Sequence, residues 1–273
     1  MNRFKKLAIP YFVWMIILVL IPLVLMLVMS FMDMTYFNIE DATFTFSNFG
    51  KVFDSTYIRA FGNSMRLAIY ATIGCLLIAY PIAYIVSKLK FVGKTFLLVI
   101  FILPLWTNML LRIETINKML EPEGFMKNVF GIGLNLAGTE FAIVIVMIVV
   151  YLPFMIFPIY TVLEKIDKSL LEASMDLGAT PTKSFLKVTL PLSMKGISSG
   201  ITMVFLPCAM GFTIPQIVSK GRILLIGDII EQKFKGPSGQ YSIGMLASLV
   251  IIVFVMLAIW LIGKIDEEGE TLL

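Results

Sequence analysis

Charged residues are spread very unevenly along this chain. Six stretches contain no Asp, Glu, Lys or Arg: Leu7–Met32, Leu67–Ser87, Thr95–Leu111, Phe141–Leu163, Gly196–Ser219 and Gly236–Gly263. They run from 17 to 28 residues, and a helix crossing a bilayer needs about 20 mostly apolar residues. The pattern predicts six membrane-spanning helices in an all-α integral membrane fold. The third stretch is the shortest, and Arg112 at its end is placed to snorkel towards water. Prolines fall within five stretches (Pro22, Pro81, Pro104, Pro153, Pro158, Pro207 and Pro215) and at the edge of the sixth (Pro237). Lipid-embedded helices tolerate proline, which also offers places to bend.

Composition narrows the class. Of 273 residues, 59% are hydrophobic and 15% charged, against about 25% charged in a typical soluble protein. That excludes a disordered chain, a soluble enzyme and a disulfide-rich secreted module. There is no histidine, which removes the commonest metal ligand and the usual general base. No catalytic residue and no metal site are expected. Cys75 and Cys208 both lie inside apolar stretches and should pack as small hydrophobes.

The charges between the stretches suggest an orientation. Arg3, Lys5 and Lys6 precede the first stretch, which is too long for a signal peptide core and has no small-residue cleavage site after it. It reads as a retained first helix with the N-terminus on the cytoplasmic side. Lys88, Lys90 and Lys94 in the second short loop agree, as do the acids Asp33, Glu40, Asp41 and Asp54 in the first outer segment. The basic segment Lys220–Ser242 runs against the rule, but the first helices usually dominate it. Six crossings then give an N-in/C-in, multi-pass protein of the cytoplasmic membrane. Residues 1–61 would hold the first helix and outer loop, 62–264 a five-helix core, and 265–273 a cytoplasmic tail. No connecting segment is long enough to form its own domain, since chains below about 40 residues rarely fold unaided.

Several chemistries fail on inspection. Gly93-Lys94-Thr95 ends like a phosphate-binding loop, but Lys88 stands where the first glycine belongs and an apolar run follows. No C-x-x-C occurs. No carboxylate lies within an apolar stretch, unlike in proton-coupled carriers. Gly196 and Gly200 form a G-x-x-x-G, which suits close helix packing either within this bundle or against another subunit.

The segment SLLEASMDLGATPTKSFLKVTLP, Ser169–Pro191, is different. Lys168 to Leu177 suits a short helix, with Lys168/Glu172 and Glu172/Asp176 spaced i,i+4. Gly178 is placed as a C′ cap. Thr180 then caps a second helix with Pro181 at its first position. Pro191 ends or kinks that helix before the fifth span. The product is a helix–turn–helix knob within the loop 165–195. Lipid does not require such a knob, whereas a partner surface would.

Glu172-Ala173-Ser174, Gly178 and Leu190-Pro191 resemble the EAA motif of type I ABC importer permeases, with Ser174 where that motif usually has Ala. The resemblance implies that Glu172, Ala173, Ser174, Gly178, Ala179, Thr180, Pro181, Leu190 and Pro191 form the loop that docks on a cytoplasmic ATPase. It implies a MetI-like fold and no enzymatic activity in this chain, with ATP and Mg on the partner ATPase. The opening IPYFVWMIILVLIPLVLMLVMSF, then NSMRLAIYATIGCLLIAYPIAYIVSK and LPLWTNMLLR, are similar to B-type permease subunits of spermidine/putrescine importers. Partners implied are a PotC-like second permease subunit, a homodimeric PotA-like ATP-binding subunit and an external PotD-like polyamine-binding protein, in the lipid bilayer and without nucleic acid. After Arg112 the chain reads IETINKML where an aromatic run is expected, which leaves the substrate open to another small solute such as iron, thiamine, sulfate or a phosphonate. Trp106, Glu114, Tyr151 and Tyr160 are candidates for a polycation path, through ion pairing and cation–π contacts. A membrane-embedded enzyme and an ATPase-independent channel are the readings from other classes.

Overall fold

The structure is a computed structural model that describes residues 2–34, 42–89, 91–131, 133, 136–235 and 240–271. Helices dominate. Helix α1 (Asn2–Met15) passes through a π-helical turn, Ile16–Leu20, into α2 (Ile21–Ser30). A two-residue antiparallel ladder follows, β1 (Met32–Asp33) with β2 (Thr43–Phe44), then α3 (Ser47–Val52) and the long α4 (Ser55–Lys88). Next come α5 (Phe91–Ile102), a 3₁₀ turn Leu103–Trp106, α6 (Met109–Met119) and α7 (Phe125–Phe130). Helix α8 is Glu140–Lys165, α9 is Lys168–Asp176 and α10 is Pro181–Ser184. A second π turn, Phe185–Thr189, leads to α11 (Leu190–Leu192) and α12 (Met194–Met210). The chain closes with α13 (Thr213–Ser219), α14 (Ile226–Lys235) and α15 (Tyr241–Thr271). The expected tail 265–273 is therefore helical as far as Thr271.

Among the described residues, four helical segments are long and apolar enough to cross a membrane unbroken: Ile9–Ser30, Ser55–Lys88, Glu140–Lys165 and Tyr241–Lys264. Two more spans qualify only as bent pairs, Gly93–Trp106 with Met109–Met119 at 99° and Pro181–Leu192 with Met194–Met210 at 59°. The six expected spans are thus four straight and two broken. The break in the third has a local cause. Pro104 sits in the 3₁₀ turn, Thr107 is extended, and the Asn108 side chain accepts from the Leu110 and Leu111 amides (2.9 and 3.4 Å). An uncharged N-cap inside an apolar run restarts the helix in a new direction. Arg112 therefore lies in α6 rather than at the end of a straight span. Its Nε and Nη1 are buried without an acceptor among the described residues. The fifth apolar stretch is also two helices, because Gly211 is extended and its N–H bonds the Pro207 carbonyl (2.9 Å), ending α12.

Both π turns precede a proline. Ile21 donates to the Ile16 carbonyl and Leu190 to the Phe185 carbonyl, each five residues back, and Pro22 and Pro191 come next. Proline lacks the N–H and its ring collides with the carbonyl four residues earlier. Widening the turn by one residue relieves that collision.

The chain divides into two compact units, Met1–Phe61 with Ile226–Phe254, and Gly62–Leu225 with Val255–Leu273. In the first, Phe31 lies against Phe44, Phe46 and Phe49 with centroids 5.2 to 6.0 Å apart. None of the most apolar part of Ile9–Ser30 is buried. In the second unit, α4 presents Ala68, Ala71, Cys75, Ala79 and Ala83 as a fully buried stripe, while Ile73, Leu77 and Ile85 are exposed on its other side. Small residues let backbones approach closely, and the Cys75 thiol donates to the Ile148 carbonyl of α8 (3.6 Å). Both cysteines are free and buried, packed as hydrophobes. Helix α8 buries Ile143, Val146, Met155, Ile156 and Ile159 and packs along α12.

Candidate functional site

The knob between α8 and α12 is built from caps. Helix α8 stops at Lys165, Ile166 is extended, and Asp167 caps α9 by accepting from the Ser169 amide (3.0 Å). That backbone bond holds the Asp167 carboxyl below its usual range. Asp167 was not among the expected caps, although its type and position carry the usual signal. At the far end, Gly178 has φ +84°. Its N–H bonds the Met175 carbonyl (2.9 Å), and the Ala179 N–H bonds the Ser174 carbonyl (3.1 Å). This is a Schellman closure, and its C′ position needs the left-handed backbone that glycine adopts freely. Thr180 then caps α10, its side chain accepting from the Lys183 amide (3.3 Å), with Pro181 first in the helix.

The two helices of the knob are tied together and to α4. The Ser174 hydroxyl lies 2.8 Å from the Leu171 carbonyl and 2.6 Å from the hydroxyl of buried Ser184. Serine at the motif's alanine position thus has a partner in the second helix. Phe185 packs edge-on against Tyr80 and Tyr84 (centroids 5.9 and 5.2 Å). The Tyr80 hydroxyl lies 2.9 Å from that of Ser193, at the 59° bend. Leu190 and Pro191 form the short turn just before that bend. Sequence reasoning missed Ser184, Ser193, Tyr80 and Tyr84. Only the i,i+4 spacing of the two tyrosines hinted at a shared face.

The outer side of the knob is bare. Glu172 and Ala173 are exposed, and Glu172 forms no ion pair with Lys168 despite the spacing. Leu177, at the tip, is 90% exposed, and Leu170, Met175 and Leu186 on the knob are exposed too. The arrangement is an exposed acidic group and several exposed apolar side chains on a capped helix pair.

The four path candidates are not brought together among the described residues. Trp106 ends the 3₁₀ turn and is 87% exposed. Glu114 faces Lys118 on α6 at 3.9 Å. Tyr151 is buried on α8 and lines a cavity of about 30 Å³ with Met109, Met147 and Gly211. Tyr160 is buried at the other end of α8, where the Lys94 ammonium stands 5.7 Å over its ring and pairs with Glu164. That cluster links α5 to α8.

Comparison with known proteins places this architecture. No family model matches the chain. Among solved structures, the transmembrane chain of a bacterial alginate ABC importer superposes with TM-score 0.77 over 97% of this chain and 95% of that one, at 15% identity. A chain of the methionine ABC transporter MetNI superposes with TM-score 0.56 over 79% and 95%. The fold is that of an ABC importer transmembrane subunit. Curated relatives sharpen the class. The spermidine/putrescine transport system permease protein PotB of Haemophilus influenzae is 35% identical over 266 residues, 93% of each chain. That of Escherichia coli is 30% identical over 268 residues, 93% of this chain and 98% of its own. The chain belongs to the PotB family of ABC permease proteins, multi-pass proteins of the bacterial inner membrane.

Proposed function

We propose that this chain is one of two permease subunits in an ATP-driven importer of polyamines, spermidine and putrescine. It forms half of the passage beside a PotC-like subunit. A homodimeric PotA-like subunit binds ATP and Mg, and a PotD-like protein delivers substrate from outside. The knob Lys168–Leu192 faces the cytoplasm and seats in the ATPase, with Glu172, Leu177 and the Schellman turn at Gly178 as its docking face. Closure of the ATPase pair moves the knob, and the helices it anchors follow as rigid bodies. The observation that carries this reading is the bare tip, with Leu177 90% exposed at the end of a fully capped helix pair. Large apolar exposure on a stiff projection marks a protein interaction site. For the passage, Tyr151 and Trp106 are the aromatic faces for a polycation, while Tyr160 acts through Lys94 and Glu164 to hold α5 against α8. In the purified four-component complex, Glu172→Ala and Leu177→Asp are expected to abolish spermidine uptake while ATP-binding subunits lose binding-protein-stimulated hydrolysis. Normal uptake and normal stimulation in both variants overturn the docking face. Absence of labelled spermidine or putrescine accumulation by the intact wild-type complex overturns the substrate.

A further inference from the structure

Two spaces in the first unit share one wall. An apolar cavity of about 260 Å³ is lined by Phe53, Tyr57, Ile58, Phe61, Val250 and Phe254 among others, with almost no polar surface. At roughly 30 Å³ per water, it is far too large for a packing defect. Beside it opens a wider polar space of about 460 Å³, lined by Ser47, Lys51, Asp54, Tyr57, Lys233 and Gln240. Tyr57 borders both. It is nine-tenths buried, and its hydroxyl has no hydrogen-bond partner among the described residues. Buried hydroxyls are almost always paired, and this one is free to donate to a ligand at the border of the two spaces.

The polar space carries two cations and one anion. The Lys233 ammonium donates to the Gln240 side chain (2.5 Å) and keeps two further N–H donors. Lys51 is exposed at the last turn of α3. Asp54 accepts from the Thr56 amide (3.2 Å) at the start of α4, which holds its carboxyl below the usual range and charged. An apolar hole beside a cationic mouth with one carboxylate, Tyr57 between them, matches an amphiphile whose head bears a phosphate and an amine.

We propose that this pair of spaces holds one membrane phospholipid with a zwitterionic amine headgroup. Lys51 and Lys233 take the phosphodiester, Asp54 faces the headgroup ammonium, and the Tyr57 hydroxyl donates to an ester or phosphate oxygen. One acyl chain fills the cavity between Phe53, Phe61, Val250 and Phe254. The lipid is a structural ligand of the α3–α4–α15 corner and is separate from any transported solute.

Native mass spectrometry of the assembled transporter, delipidated and then titrated, tests this. The probes are phosphatidylethanolamine, phosphatidylglycerol, phosphate-free diacylglycerol and inorganic phosphate. One phosphatidylethanolamine should bind, more tightly than phosphatidylglycerol and far more tightly than diacylglycerol. Lys51→Gln and Lys233→Gln should each weaken binding on the order of tenfold, the worth of one charge-assisted hydrogen bond. Tyr57→Phe keeps the shape and should also weaken it, and Val250→Phe should expel the acyl chain. Equal binding of diacylglycerol, binding of inorganic phosphate alone, or retention of lipid by all four variants overturns the proposal. Displacement of the lipid by spermidine assigns the space to the solute path and overturns it too. So does lipid bound only by the isolated subunit, which gives the space to a neighbouring chain.

Discussion

Gly196 and Gly200 give the sharpest quantitative prediction. The sequence leaves their G-x-x-x-G open between bundle packing and a subunit interface, and the structure packs both against α8 of the same chain. A methyl group on Gly196 would lie 2.9 Å from the Ile159 Cα and 2.9 Å from the Pro158 carbonyl, with the Val162 Cβ at 3.1 Å. Two of those neighbours are backbone in the middle of a long helix and cannot turn aside. On Gly200 the nearest atom would be the Met155 sulfur at 2.6 Å, with backbone no closer than 3.3 Å. Methionine is flexible and repacks. Each alanine gains about 1 kcal/mol of helix propensity over glycine, and overpacking costs about 1–3 kcal/mol where the surroundings do not yield. Gly196→Ala should therefore destabilise the bundle by up to about 2 kcal/mol net, towards the upper end because its obstacles are backbone. Gly200→Ala should fall within about 1 kcal/mol of neutral, because its obstacle is a movable side chain. Thermal unfolding of the purified complex in detergent, followed through a thiol dye on buried Cys75 and Cys208, reads the difference. At about 2–4 °C per kcal/mol, the Gly196 variant should melt several degrees lower. A Gly200 variant that loses as much as the Gly196 variant, or a loss for both that vanishes when the partner permease is absent, refutes packing within the chain.

The other predictions concern the knob. Ser174→Ala should cost about 1–3 kcal/mol by leaving the buried Ser184 hydroxyl unpaired, while Ser174→Ala with Ser184→Ala should recover most of it; additive losses in a thermal double-mutant cycle would exclude the link. Gly178→Val should lose about 1–2 kcal/mol to the left-handed backbone, more than Gly178→Asn, since nothing stands within 4 Å of the position and only conformation discriminates; equal hydrogen-exchange protection of residues 168–176 in both would contradict this. The Asp167 carboxyl is lowered by the Ser169 amide, so its contribution is present above the ordinary value near 3.8 and is lost as pH falls through the lower folded value. The protection factor of the α9 amides, with the intrinsic pH dependence of exchange divided out, should fall at the acid end of that window in the native protein and be already low and flat there in Asp167→Ala.

What the sequence made legible follows from where the signals are strong. Absence of charge over about 20 residues marks a span whatever its neighbours do, and all six stretches contain transmembrane helix. Thr180-Pro181 and Gly178 specify caps through backbone chemistry confined to three or four residues, so the knob was readable almost residue by residue. The errors arise where an uncharged group does the work. Asn108 is invisible to a search for charges, yet its side chain ends one helix direction and begins another. Gly211 does the same between α12 and α13. The π turns before Pro22 and Pro191 leave no mark in apolar periodicity beyond the prolines themselves. Tyr80, Tyr84 and Ser193 act only after α4 and the knob have met, and that meeting is tertiary. The path candidates were chosen by residue type alone, and type does not say which end of α8 a tyrosine occupies.

The knob's construction explains why a movement there could reach the membrane helices. A flexible connector would absorb a displacement of a few ångström in rotations of its own backbone. Here both helices are capped at each free end, Ser174 joins Ser184, and Phe185 is wedged between two tyrosines of α4. The remaining soft points are the π turn at Phe185–Thr189 and the bend at Ser193. Beyond the bend, α12 is locked to α8 through Gly196 and Gly200, with no space for sliding at the first of them. If the knob is the docking element, a load on it would reach α4 through Phe185 and α12 through the bend. The Ser193 hydroxyl at this bend meets that of Tyr80 from α4, which itself packs on α8. Tyr80→Phe should leave the knob folded and the ATPase bound while changing how much hydrolysis each transported solute requires. An unchanged ratio of ATP hydrolysed to solute accumulated would show that the load bypasses this hinge.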